Sequence, residues 1–101
     1  MKPANSAPVY ACMYQGLADL ARDHGYALAA HGSLARDFDL IAVPWAASVS
    51  GPEVLVRAVL DKFAFNQIGE MTVMKHRRLC WTLSLSFGDT FLDFSVIPTD
   101  S

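Results

Sequence analysis

His31–Trp45, "HGSLARDFDLIAVPW", decides how the chain is read. A Gly-Ser pair, Gly32 and Ser33, is separated by three residues from Asp37, and Asp37 and Asp39 then head a run that otherwise reads as buried strand. Side chains on a strand alternate between faces. Asp37 and Asp39 therefore share one face, roughly 7 Å apart along the backbone, while Phe38, Leu40 and Ala42 take the other. Proline cannot donate to a sheet ladder, so Pro44 marks the end of this strand.

Working outward, Tyr26–Gly32 ("YALAAHG") reads as a short strand before it. From Pro8 to about His24 the apolar positions Val9, Met13, Leu17 and Leu20 recur at helical spacing, with Ser6 as N-cap and Gly25 as the stop. After Trp45 a second helix is expected. Ser50 is its cap, Pro52 and Glu53 lie in its first turn, and Leu55, Ala58, Val59 and Phe63 form its apolar face. Three more strands follow, in "MTVMKHRR", "CWTLSLSF" and "TFLDFSVI". The second of these alternates cleanly, with Trp81, Leu83, Leu85 and Phe87 on one side and Thr82, Ser84 and Ser86 on the other, as in an antiparallel strand with one wet face. "FGDT", with Gly88 and Asp89, is a tight turn into the last strand.

The expected order is helix, strand, strand, helix, strand, strand, strand. Helices on one face of a mixed sheet of about five strands give an α/β two-layer sandwich. With 101 residues the chain is read as one domain, residues 1–101, without repeats or linkers. Its 52% hydrophobic and 18% charged composition argues against disorder and for a filled core or a partner-covered surface. A net charge of −2 gives no global basic field toward nucleic acid. No apolar run is long enough to span a bilayer and no signal peptide is read, so a cytoplasmic protein with reduced, partly buried Cys12 and Cys80 is the expectation.

Asp93 lies at the centre of the last apolar strand. If that strand neighbours the Asp37–Asp39 strand, three carboxylates converge, and their mutual repulsion calls for a cation; hard oxygen ligands suit Mg²⁺ or Mn²⁺. The one dense basic cluster, Lys75–Arg78, reads either as a solvated turn or as a source of phosphate contacts from Lys75 and Arg77. Arg36, beside Asp37, can neutralise the acids when no cation is bound. No histidine pair has zinc-ligand spacing.

With these residues in place, "HGSLARDFDLIAVP" followed by "FLDFSVI" resembles the nucleotidyltransferase fold of the DNA polymerase beta superfamily, in small members of phage or prophage type. The resemblance covers roughly residues 26–96. It implies that Gly32 and Ser33 form the turn holding a nucleotide's phosphates, with Asp37 and Asp39 as the metal-binding pair. Asp93 becomes the third, catalytic carboxylate. The implied activity is transfer of a nucleotidyl group from a nucleoside triphosphate to an acceptor hydroxyl of unknown identity, with Mg²⁺ or Mn²⁺ as cofactor. The segment between Ser33 and Asp37 is shorter than the family's usual phosphate-presenting segment. That shortening keeps a second reading open, an inactive module of the same fold that works by binding or oligomerising. A homodimer would then form through the aspartate side of the sheet, covering Ile41, Val43 and Ile97, or through the edge strand.

Overall fold

The computed structural model describes residues 7–31, 37–85 and 90–98, with backbone only for Ala7, Val9, His31 and Asp37. The Ser6 cap, the Gly32–Ser33 turn, Arg36 and the Gly88–Asp89 turn lie outside the described residues, as does the side chain of Asp37. The elements follow the expected order: α1 (Ala7–Asp23), β1 (Tyr26–His31), β2 (Asp37–Pro44), α2 (Pro52–Phe63), β3 (Asn66–Val73), β4 (Leu79–Ser84) and β5 (Phe91–Val96). A short 3₁₀ turn, Lys75–Arg77, joins β3 to β4.

The five strands form one mixed sheet in the order β1-β2-β5-β4-β3. β5 inserts between β2, to which it runs parallel, and β4, to which it runs antiparallel; the remaining pairs are antiparallel. One face of this sheet meets the helices. Phe38, Leu40 and Ala42 of β2, Leu92, Phe94 and Val96 of β5, and Trp81 and Leu83 of β4 are buried there. Tyr10, Leu17, Leu20 and Ala21 of α1 and Leu55, Val56 and Val59 of α2 close the core from the other layer. The architecture is a two-layer α/β sandwich, held mainly by burial of these apolar side chains. A stacked ring pair, Tyr10 on Phe38 at 4.8 Å, ties α1 to the centre of the sheet.

Several local expectations need correction. Ser50 does not cap α2: the cap position is Gly51, without a side-chain cap bond. The Ser50 hydroxyl is engaged by His24 Nδ1 at 2.8 Å, and its carbonyl accepts a bond from the Tyr26 hydroxyl at 2.6 Å. The third strand begins at Asn66 and ends at Val73, short of the basic cluster, which lies in a turn as one of its two readings expected. Cys12 is exposed rather than partly buried, and both cysteines are free. Among the described residues no helix is long and apolar enough to cross a membrane.

Candidate functional site

The register across the sheet fixes what faces what away from the helices. One row of cross-strand positions reads His31, Asp39, Asp93, Thr82 and Ile68, from β1 to β3. The next row toward the C-terminal ends of β2 and β5 reads Ala29, Ile41, Ser95, Cys80 and Thr72. Because Phe38, Leu40, Leu92 and Phe94 are committed to the core, the pleat turns Asp39 and Asp93 to the opposite, helix-free face.

Asp39 and Asp93 are direct partners in the parallel β2–β5 pair. Neighbouring strands lie about 4.8 Å apart, so two carboxylates from segments remote in the chain sit side by side. Both are half-buried. Like charges directly opposite each other on adjacent strands destabilise a sheet. One local contact addresses this: the Thr82 hydroxyl donates to Asp93 Oδ1 at 3.4 Å, and Asp93 makes a further interaction besides. The donor set of two carboxylates and a hydroxyl is hard and all-oxygen, and it fits the chemistry of Mg²⁺ or Mn²⁺. Among the described residues no three Asp, Glu, His or Cys side chains are gathered as a metal-holding group. Of the expected carboxylate triad, Asp37 is described in backbone only, two positions before Asp39 on β2 and opposite Phe91.

The basic residues stand elsewhere on the same sheet. β4 starts at Leu79, opposite Val96, so the Lys75–Arg78 turn lies at the C-terminal end of β5. Asp93 is three residues further back, about 10 Å along the strand. Lys75 lines a cavity of about 260 Å³ together with Ile41, His76, Arg78 and Ile97. Arg77 borders an adjoining hollow of about 120 Å³ with His76, Ile97 and Pro98. Arg78 was not singled out by the sequence reading; its four-residue basic run gave no sign of which cation would fold inward. The structure thus joins Asp39 to Asp93 and joins Lys75 to a cavity, and separates the two groups along β5.

Comparison with protein-family models, with curated proteins and with solved structures gave no significant match.

Proposed function

We propose that this chain is a small nucleotidyltransferase-like domain that binds Mg²⁺ or Mn²⁺ and a nucleoside triphosphate. The observation that supports the reading above all is the side-by-side placement of Asp39 and Asp93 on the helix-free face of the sheet. Two carboxylates side by side repel each other, and a divalent cation would offset that repulsion. Asp39 and Asp93, with Asp37 two positions before Asp39, would hold the cation. Bound there, it would neutralise charge on a transferring phosphoryl group. Gly32 and Ser33 fall between His31, which pairs with Asp39, and Asp37, so the candidate phosphate turn is joined to this row in sequence. Lys75 and Arg77 are on the far side of Ser95, and they serve a nucleotide only if its phosphates run along the sheet face.

The test is calorimetric titration of Mn²⁺ and then ATP into the wild-type protein and into the Asp39→Asn and Asp93→Asn variants. The reading expects saturable heats that either substitution abolishes. Equal heats from all three proteins, or none from any, rule it out.

A specific observation also favours the second reading, an inactive module that self-associates. β3 is one of the two edge strands of the sheet and all eight of its residues are exposed, including Ile68 at 49% and Val73 at 67%. Such an edge offers unpaired N–H and C=O groups to a second copy about a two-fold axis. Val43 on β2, set apart from β3 by β5 and β4, is a separate apolar position at 39% exposure, while Ile41 and Ile97 are half-buried. A dimer in sedimentation that Val73→Lys dissociates is the expected result, and a clean monomer at micromolar concentration counts against it.

A further inference from the structure

The cavity at the C-terminal end of β5 has a composition that the metal-and-nucleotide reading does not explain. Its floor is apolar, from Ile41 on β2 and Ile97 just past β5, and the rest of its described lining is basic: Lys75, His76 and Arg78. None of these lining residues is acidic. Arg78 is half-buried, and its Nε is fully shielded from solvent without a hydrogen-bond partner among the described residues. A shielded guanidinium N–H left unmatched is costly, and such groups call for an explanation.

The backbone here is also held in an uncommon conformation. His76 and Arg77 both have φ of 62°, two consecutive non-glycine residues in the left-handed region. Residues in that region persist where the surroundings impose it, and they concentrate at ligand clamps. The turn is closed by Met74 N–H donating to the Arg78 carbonyl at 2.6 Å. Lys75 and His76, both exposed, and the half-buried Arg78 thereby line one hollow.

We infer that this cavity binds an organic phosphate monoester, with its phosphate held by Arg78 and Lys75 and an apolar or aromatic body resting on Ile41 and Ile97. Arginine presents a planar fork that matches phosphate oxygens, and lysine adds a point charge. Several basic groups together favour a dianion over a singly charged carboxylate, and a phosphate monoester carries close to two negative charges at neutral pH. The volume of about 260 Å³ leaves room for more than the phosphate alone. This site needs neither the Asp39–Asp93 pair nor a divalent cation, so it stands or falls apart from the proposed transferase reading.

The experiment is an amide-resolved NMR titration of the full chain in EDTA with phenyl phosphate, inorganic phosphate and phenol. Phenyl phosphate is expected to shift the Lys75–Arg78 and Ile97 amides saturably and more tightly than inorganic phosphate, with no response to phenol. Arg78→Gln should weaken phenyl phosphate binding at least about tenfold, the size expected for loss of a hydrogen bond to a charged group. Lys75→Gln, at an exposed position in the turn, should weaken it severalfold and decides the matter if Arg78→Gln fails to fold. Asp39→Asn should leave it unchanged. No saturable shift at millimolar phenyl phosphate, or undiminished affinity in Lys75→Gln, overturns the inference. So does loss of binding in Asp39→Asn, which would assign the phosphate to the carboxylate site.

Discussion

Replacing Asp39 by asparagine removes one charge from a directly opposed pair while keeping its size and shape. The β2–β5 register puts the two Cα atoms about 4.8 Å apart, with the side chains leaving the sheet in the same direction. At a carboxylate separation of about 5 Å, Coulomb's law gives a repulsion of about 0.8 kcal/mol in water and about 3 kcal/mol at an effective dielectric of 20. Both acids are half-buried on a face without helices, which favours the lower part of that range. About 1 kcal/mol is therefore expected, in line with the usual penalty for like charges across a strand pair. Asp39→Asn should raise stability by that amount in metal-free buffer, an increase in Tm of about 4–8 °C for a domain of this size. Added salt should shrink the difference by screening the wild-type repulsion. Urea denaturation in EDTA measures the gain, and repeating it with Mn²⁺ should stabilise the wild type and not the variant. A metal-free Asp39→Asn protein less stable than wild type would show that Asp39 is a satisfied structural group, and the repulsion argument would fail.

Three further outcomes follow from the fold. Gly25 has φ of +92°, and a Cβ there would stand 2.7 Å from both the Ser48 carbonyl oxygen and Val49 Cγ1; Gly25→Ala should cost more than about 2 kcal/mol in urea denaturation, and a neutral result would contradict the packing of the β2–α2 connection against this turn. Phe38→Ala removes a ring that is 1% exposed and stacked on Tyr10, so a loss of about 3–5 kcal/mol is expected by the same assay, with less than 1 kcal/mol arguing that the α1–sheet contact is not formed. The Tyr26 phenol is raised above its usual value of 10.0 by burial first and by the nearby charge of Glu53 second. A raised value in the folded state means its contribution to stability is present below pH 10 and is lost as pH climbs through the folded value. Absorbance titration should accordingly show one tyrosine ionising late, absent in Tyr26→Phe, and the wild type's stability advantage over that variant should fall above pH 10.

What could be read in the amino-acid order depended on how much burial each element carries. β4 and β5 alternate in sequence because one side of each is driven into the core, where Trp81, Leu83, Leu92, Phe94 and Val96 are almost wholly covered. β3 has no such constraint: its eight residues are all exposed, Gly69 takes φ of +69°, and the register shifts between Ile68 and Thr72. Without a buried face there is no period of two to see, and its first half, Asn66–Glu70, went unread. The cap of α2 failed for a different reason. Serine outranks glycine as an N-cap in isolation, but Ser50 has tertiary partners in His24 and Tyr26 that a local rule cannot know.

The site divides along the same line. That Asp39 would face away from the helices followed from Phe38 and Leu40 alone, and the same holds for Asp93 between Leu92 and Phe94. That these two strands are neighbours did not follow, because β2 and β5 are separated in the chain by α2, β3 and β4. Their adjacency comes from topology: a parallel pair cannot be closed by a tight turn and needs a long crossover, here supplied by α2 and the β3–β4 hairpin. The crossover also explains why the basic turn ends up apart from the acids. β4 runs antiparallel to β5, so the Lys75–Arg78 turn that precedes it is carried to the C-terminal end of β5, while Asp39 and Asp93 sit in the N-terminal halves of their strands. One sheet face thus carries an acidic row and a basic cavity separated by Ser95, which is buried at 3% exposure. Strand direction thus sets the paired positions of Asp39 and Asp93 toward one end of the sheet and the Lys75–Arg78 turn toward the other.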